Sequence, residues 1–178
     1  MQLEMDVFEK NRTWELANLP CGHRAITLKW MFKLKRDEVG AIVKHKARLV
    51  AQGFMQQEGV DFDAAFAPVA RMESVRRLLA LAAQEGWRVH LMDVKLSFLN
   101  GDLKEEVYNQ PSGFVIPGKV LRLRKTFYGL RQAPRAWNAK LDSTLKGTGF
   151  EQSPHEAAVY RRGSGGNALL VGVYATTW

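Results

Sequence analysis

The stretch MDVKLSFLNGDL, residues 92–103, constrains the fold and the chemistry more than any other part of the sequence. Asp93 ends the run Trp87–Asp93, whose alternating character has the period of two expected of a β-strand, and Phe98 follows. If the chain turns after this strand, the carboxylate of Asp93 can reach a metal ion in a cleft, and Mg²⁺ prefers such oxygen ligands. A strand-end aspartate is more often a cap or turn residue, so the surrounding sequence must decide between the two interpretations.

Upstream of this stretch the sequence predicts a β-hairpin and a helix. Residues 28–35 and 42–51 have strand character, and the residues between them are turn-like. A helix is expected from about Ser74 to Gln84, because apolar residues recur there with helical spacing. Ser74 is the expected N-cap and Gly86 the expected C-terminal stop.

Downstream, the predicted elements again mix strands and helices. They are a turn-rich stretch at 109–118, a short strand at 120–123, a helix that starts near Pro134 and ends at Gly147, and a second hairpin formed by 159–161 and 168–174. Residues 1–27 are expected to be an entry segment with little periodicity, and residues 53–71 a linker. This interspersion of hairpins and helices predicts an α+β fold with an antiparallel sheet.

Composition limits the class of protein. The chain has 178 residues and is 46% hydrophobic, which is enough for one domain or one compact fragment with a core. Its one cysteine, Cys21, cannot form an internal disulfide or a thiolate zinc site alone. Because no apolar run approaches the roughly 18 residues of a membrane span, and no signal-peptide core is present, we expect an intracellular protein without a membrane partner.

The net charge of +8 is clustered along the sequence. Lys44, Lys46 and Arg48 share one face of the second predicted strand, because side chains alternate between the two faces. Two basic patches favour a polyanionic partner, most simply nucleic acid, although a solvated sheet edge would give the same pattern. The patches are Lys33, Lys35, Arg36, Lys44, Lys46 and Arg48, and Arg122, Arg124, Lys125, Arg131 and Arg135.

Several of these motifs resemble, in the same order, those of copia-type retrotransposon reverse transcriptases. The stretch at 92–103 is similar to that family's first catalytic motif, commonly MDVKTAFLNGDL, and the resemblance runs from about residue 28 to the end. It implies the fingers and palm of a right-hand polymerase, with an antiparallel palm sheet. The other matching segments are KWMFKLK at 29–35, KHKARLVAQGF at 44–54, VDFD at 60–63, FAPVAR at 66–71, and YGLRQAPRAW at 128–137, which is similar to YGLKQAPRAW.

The resemblance implies a magnesium-dependent polymerase site. In nucleotidyl transfer, carboxylates converge on a pair of Mg²⁺ ions, and Asp93 would be the first of these metal-binding aspartates. Phe98 would be the aromatic beneath the sugar that discriminates against a 2′-hydroxyl group. Without the family, a plain core aromatic would be the favoured interpretation of Phe98.

The resemblance also implies residues that bind the nucleotide. Lys46 and Arg48 lie where cations of the fingers hold the incoming triphosphate, and which of the two does so stays open because they share a face. Gly129, Gln132 and Pro134 belong to the loop and helix that support nucleotide and template, although a glycine turn and a helix start would also explain them. The implied partners are an RNA or DNA template-primer, deoxynucleotides and other parts of a Pol polyprotein. The implied location is a cytoplasmic particle or the nucleus.

The chain departs from the family at its last residues. The family's third motif is YVDD at a hairpin tip, whereas this chain has YATTW at 174–178. Thr176 and Thr177 carry no charge and cannot replace aspartates as ligands of Mg²⁺, and loss of groups that act together is severe. We therefore predict residues 28–178 to be fingers and palm truncated at the YVDD hairpin, without thumb or ribonuclease H region, and catalytically inactive. The alternatives are a non-catalytic nucleic-acid-binding remnant and a pseudogene product without function.

A single-base deletion is one hypothesis for the altered motif. The codons GTC-GAC-GAC-ATG-G encode Val-Asp-Asp-Met, and removal of the T gives GCG-ACG-ACA-TGG, which encodes Ala-Thr-Thr-Trp. The coding DNA tests the idea, since restoring one base near Ala175 must recover Val-Asp-Asp in frame.

Overall fold

A computed structural model describes residues 1–105, 107–111, 113 and 116–174. The chain forms two compact units, one of Met1–Phe66 with Leu96–Trp137 and one of Ala67–Lys95 with Asn138–Trp178. The sequence-predicted positions Thr176 and Thr177 lie outside the described residues.

The first unit is built around a five-stranded sheet with the order β1-β5-β4-β2-β3. The predicted hairpin is confirmed as β2 and β3, which pair antiparallel with Leu28 opposite Ala51. The elements of this unit are helix α1 (Gln2–Lys10), strands β1 (Trp14–Ala17), β2 (Ile26–Arg36), β3 (Ile42–Ala51), β4 (Tyr108–Pro111) and β5 (Val120–Leu123), and 3₁₀ turns at Gly53–Met55 and Ser97–Asn100.

The sheet is mostly antiparallel, as expected, but it departs from that pairing in one place, because β2 and β4 pair in parallel, with Ile26 opposite Asn109. Parallel neighbours need a long crossover connection, which the residues between β3 and β4 supply. A hairpin pattern in the sequence reveals only pairing between adjacent strands. Strand β4 therefore lies partly within the stretch predicted to be turn-rich, at residues 109–118, where the sequence pattern did not indicate a strand.

The core of the first unit lies at the base of the β2–β3 hairpin. Leu28, Leu49 and Ala51 are buried there, whereas Phe32 further along β2 is 69% exposed. Helix α1, inside the expected entry segment, contributes Met5 and Phe8 to this core, three residues apart on one helical face. The other buried members of the core are Ile26, Leu99, Val107, Leu123, Phe127, Leu130 and Ala133.

The second unit carries a three-stranded sheet with the order β6-β7-β8. The second predicted hairpin is confirmed as β7 and β8, which pair with Tyr160 opposite Val171. Helix α3 begins one residue before Pro134 and ends at Gly147, also as predicted. The elements are α2 (Met72–Gln84), β6 (Glu151–Gln152), β7 (Val159–Arg162), β8 (Leu169–Gly172) and, with residues in both units, α3 (Ala133–Gly147).

The N-terminus of α2 differs from the prediction. Its N-cap is Arg71, and Ser74 lies within the first helical turn, where its hydroxyl donates a 2.5 Å hydrogen bond to the Glu156 carboxylate instead of capping the helix. The helix begins two residues before Ser74, at Met72, and its N-cap makes no side-chain hydrogen bond. Gly86 ends the helix as expected, with a positive φ of 66°.

The strand predicted at Trp87–Asp93 is not present. Residues 87–94 form neither helix nor strand and are exposed, with Leu91 100% and Met92 77% exposed. A strand needs a partner for its backbone groups and a buried face for its apolar residues. The sheet of this unit is formed by β6, β7 and β8, and residues 87–94 are not among its strands.

Candidate functional site

The loop at residues 128–132 lies tightly against the end of β3. The Ala51 amide donates a 2.8 Å hydrogen bond to the Tyr128 carbonyl. Gly129 has a φ of +93°, and a Cβ atom there would lie 2.1 Å from the Ala51 carbonyl oxygen. A Cβ on Gly53 would lie 2.1 Å from the Gly129 carbonyl oxygen. Only glycine fits at either position, so the two glycines fix the approach of the loop to the sheet.

A buried amide network holds the same loop from its other end. Gln56 Nε2 donates to Gln132 Oε1 over 2.9 Å, and Gln132 Nε2 donates to the Asp61 carbonyl over 3.1 Å. Gln56 Oε1 accepts the Arg131 backbone amide at 2.8 Å, and Arg131 Nε donates to the Gly53 carbonyl at 2.9 Å. The Gln132 amide is therefore used within the protein, where it positions the loop. Gln56 and Asp61 belong to the expected linker, which is packed into the site.

Tyr128 connects two of the sequence-predicted site residues. Its ring lies edge-on to Phe98, with centroids 5.2 Å apart, and the Arg48 guanidinium lies over the same ring at 5.1 Å. Thr126 Oγ1 donates a 2.6 Å hydrogen bond to the Phe98 carbonyl, which fixes the backbone beneath that aromatic. Tyr128 lies in the motif at 128–137, but the sequence alone predicted no role for it. Its position next to the constrained Gly129 is the signal that would have identified it.

The hairpin presents a cationic face beside this cluster. The register places Lys33 opposite Lys46, Lys35 opposite Lys44, and Met31 opposite Arg48. Directly opposite residues share a face, so the lysines of both strands join Arg48 on one side, as the alternation of β3 predicted. Burial and the neighbouring Arg48 lower the pKa of the Lys46 ammonium, and Glu4 opposes this shift. The positive charges of Lys46, Arg48 and the neighbouring lysines repel one another, and an anion bound on this face would reduce that repulsion.

Three cations of the second predicted basic patch have partners within the protein. Arg122 and Arg124 both form ion pairs with Glu15, the former at 3.5 Å. Arg131 is engaged with the Gly53 carbonyl and lies over the Phe62 ring at 5.8 Å. Pairing between β1 and β5 places Glu15 opposite Arg122, a neighbour that clustering along the sequence cannot show.

The sequence-predicted site residues fall in both units. Lys46, Arg48, Phe98, Gly129, Gln132 and Pro134 belong to the first, and Asp93 belongs to the second, where it is exposed in the irregular segment 87–94. Within the described parts of the chain, no three histidine, cysteine, aspartate or glutamate side chains form a group that could hold a metal ion. The described residues alone therefore do not form a site for a Mg²⁺ pair.

Comparisons with known proteins identify the family of the chain. The family model for reverse transcriptase (RNA-dependent DNA polymerase) matches residues 11–177. The chain belongs to the reverse transcriptase family, and its relatives are of the copia type. It is 45% identical, over 98% of its length, to the Retrovirus-related Pol polyprotein from transposon TNT 1-94 of Nicotiana tabacum, of which it covers 14%. It is 37% identical, over 92% of its length, to the Retrovirus-related Pol polyprotein from transposon RE1 of Arabidopsis thaliana, of which it covers 12%.

A more distant relative is also a transposon polyprotein, and the chain again covers only a small part of it. The Transposon Ty1-DR5 Gag-Pol polyprotein of Saccharomyces cerevisiae is 26% identical over 89% of the chain, which covers 9% of that protein. The chain thus spans 9% to 14% of the lengths of the curated relatives named here. No solved structure matches it. Among helices of the described residues, none is both long and apolar enough to cross a membrane.

Proposed function

We propose that the first unit binds the triphosphate and sugar of a nucleotide at the cluster of Arg48, Tyr128 and Phe98. The observation that carries the proposal is the contact of the Tyr128 ring with both the Arg48 guanidinium and the Phe98 ring. An arginine held over an aromatic face keeps its hydrogen-bond donors oriented, and phosphate oxygens are strong acceptors for them. Lys46 adds a second positive charge on the same face.

In this proposal each residue has a physical task. Arg48 and Lys46 bind phosphate oxygens, and Phe98 packs beneath the sugar. Tyr128 orients the arginine and the phenylalanine. Gly129, Gln132 and Pro134 hold the loop and the start of α3 in the conformation that presents Tyr128. Fingers and palm of a right-hand polymerase are the finer fold assignment that this division of tasks favours.

We propose further that the chain does not carry out RNA-directed DNA synthesis. Thr176 and Thr177 stand where the family resemblance places metal-binding aspartates, so Asp93 contributes a lone carboxylate. A single exposed carboxylate binds Mg²⁺ weakly, and the loss of grouped ligands reduces activity by orders of magnitude. Template-dependent extension of a primer by the purified chain in Mg²⁺ would overturn this part of the proposal.

Nucleotide binding is tested by titrating the chain with a fluorescent deoxynucleoside triphosphate and following anisotropy. We expect Arg48→Met and Lys46→Met each to weaken binding about 10-fold, the usual loss for a charge-assisted hydrogen bond. Lys35→Met is the matched control, because Lys35 lies on the same face of the hairpin but is exposed and nearer to its tip, and it should change the affinity less than about 3-fold. Equal losses of affinity in all three variants would overturn the local site and would indicate that the nucleotide is attracted only by the general positive charge of the hairpin.

The cationic face also favours a second candidate function, nucleic-acid binding without catalysis. This function rests on the same hairpin lysines and needs no nucleotide cluster. Binding of single-stranded RNA should weaken steeply with salt, and each lysine removed should lower the salt slope by about 1. A chain that unfolds cooperatively but binds neither nucleotide nor RNA would support a third interpretation, a product without function.

A further inference from the structure

The 3₁₀ turn at Ser97–Asn100, which carries Phe98, is anchored to the first unit on two sides. Leu99 within the turn is 1% exposed and belongs to the core of that unit. Directly after the turn, the Gly101 carbonyl accepts a 3.0 Å hydrogen bond from the Thr126 amide. The backbone of the turn is therefore attached to Thr126 as well as to the core.

The Thr126 hydroxyl adds an attachment directly at Phe98. It donates a 2.6 Å hydrogen bond to the Phe98 carbonyl, which also accepts the Gly101 amide at 3.0 Å. Thr126 is 0% exposed, so water does not compete for its hydroxyl and the hydrogen bond is strong. A Cβ atom on Gly101 would lie 2.7 Å from Thr126 Oγ1 and 3.1 Å from the Trp137 amide nitrogen. Glycine at this position therefore permits the close approach of the hydroxyl to the turn.

Residues 126–129 connect this turn to the strand that carries Arg48. At one end of the segment, Thr126 holds the Phe98 backbone. In its middle, the Tyr128 ring lies against the Phe98 ring at 5.2 Å and beneath the Arg48 guanidinium at 5.1 Å. The Tyr128 carbonyl is also hydrogen-bonded to the end of β3. The position of Phe98 relative to Arg48 is therefore set through this short segment.

We propose that Thr126 is a positioning residue for Phe98 and thereby sets the preference of the site for deoxynucleotides over ribonucleotides. The proposal rests on the proposed function, in which Phe98 packs beneath the sugar. A ring in that place rejects a 2′-hydroxyl only while its own position is fixed, because a shift of about 1 Å changes how a bound group is held. The Thr126 hydroxyl supplies this fixation from within the protein and does not itself contact the nucleotide.

Three variants isolate the hydroxyl of Thr126. Thr126→Val removes it and keeps the branched shape, and the Phe98 carbonyl retains the Gly101 amide as a donor. Thr126→Ser keeps the hydroxyl and should behave as wild type does. Thr13→Val is the matched control, since Thr13 is also 0% exposed in the same unit, and its hydroxyl has no hydrogen-bond partner among the described residues.

The measurement is competition, in which unlabelled 2′-deoxyadenosine triphosphate or adenosine triphosphate displaces a fluorescent deoxynucleoside triphosphate from the full-length chain. Wild type, Thr126→Ser and Thr13→Val should prefer the deoxynucleotide about 10-fold, since an apolar surface rejects an added hydroxyl only moderately. In Thr126→Val the preference should fall below about 3-fold, because the loss of one hydrogen bond lets the ring yield and the ribonucleotide binds more tightly. Partial unfolding would weaken both competitors alike and would leave their ratio unchanged.

The outcomes separate this proposal from the proposed function. An unchanged preference in Thr126→Val, an equal fall in Thr13→Val, or a fall in Thr126→Ser as large as in Thr126→Val would overturn the role of the Thr126 hydroxyl and leave the nucleotide site standing. Equal binding of the two nucleotides by wild type would do the same. Absence of nucleotide binding in all forms would overturn the proposed function, and the role of Thr126 with it.

A second comparison tests whether Thr126 acts through Phe98. Phe98→Ala alone should abolish the preference, and Thr126→Val added to it should change the ratio of the two affinities no further. A further change in the double variant would show that Thr126 acts by another route and would overturn the proposal. If Thr126→Val does not fold, Thr126→Ala compared with Thr126→Ser replaces it, because these two variants differ by the hydroxyl alone.

Discussion

The loop at 128–132 begins one close match to a copia-type motif, and the segment at 87–94 leads into another, at 92–103, yet only the loop is held by close contacts and buried hydrogen bonds. The loop is fixed by Gly129 against β3 and by the buried Gln56–Gln132 hydrogen bond. The segment that carries Asp93 is exposed and belongs to no strand. The conformation of the loop follows from contacts with β3 and with Gln56, all within the first unit. A strand motif specifies a strand only where a partner strand is paired with it.

We expect the largest loss of stability from a substitution at Gly129, where the loop approaches β3 most closely. Gly129→Ala adds a Cβ 2.1 Å from the Ala51 carbonyl oxygen at a φ of +93°. Strain and overpacking together should lower the free energy of unfolding by about 4 kcal/mol. Chemical denaturation followed by tryptophan fluorescence measures the change.

Gly59→Ala is the control for backbone strain alone. Its φ is +79°, and nothing lies within 4 Å of the added Cβ. We expect a loss of about 1 kcal/mol there. If the two glycine variants were equally stable, the close approach of the loop to β3 would be refuted.

The sequence predicted the parts of the fold that local pattern controls. The β2–β3 hairpin, the helix at Pro134 and the β7–β8 hairpin each follow from periodicity and turn residues nearby. The parallel β2–β4 pair, the Glu15 partner of Arg122 and the role of Tyr128 depend on residues far apart in sequence. The same holds for Asp93, because alternation predicts a face but not a partner strand.

The next prediction tests whether the second unit is well packed in a region other than the segment 87–94. Tyr160 is 1% exposed, and its hydroxyl donates a 3.1 Å hydrogen bond to Asp142. Burial and the Asp142 carboxylate raise the pKa of Tyr160 from 10.0 to about 12. A raised phenol pKa means that the folded state retains the proton after the unfolded state has lost it. Stability is therefore full below pH 10 and falls by about 2–3 kcal/mol as pH rises toward and past 12.

The measurement is the tyrosinate absorbance of wild type minus that of Tyr160→Phe, followed from pH 8 upward. The difference should titrate near 12, and Tyr160→Phe should lose less stability than wild type between pH 10 and 12. A difference that titrates near 10 would indicate that this part of the second unit is as open as the segment 87–94.

A smaller effect tests the amide network of the loop. Removing one member of the buried Gln56–Gln132 pair leaves the other amide unsatisfied, so Gln132→Ala should cost about 2 kcal/mol of unfolding free energy. Gln56→Ala should cost a similar amount, and the double variant less than the sum. Strict additivity in this double-mutant cycle would contradict a direct hydrogen bond. Gln84→Ala, at the last residue of α2, is a control from the other unit and should cost less than about 0.5 kcal/mol.

The smallest effect concerns Asp93 itself. Because its side chain is exposed in a segment without regular structure, Asp93→Asn should change the free energy of unfolding by less than about 0.5 kcal/mol. The amides of residues 88–94 should exchange with solvent far faster than those of β2 and β3, since exchange protection follows stable pairing and burial. Hydrogen exchange read by mass spectrometry, with and without Mg²⁺, measures both points. Slow exchange at 88–94 in wild type that Asp93→Asn abolishes would mean that the segment is a paired strand held by its carboxylate, and the contrast between the two motifs would disappear.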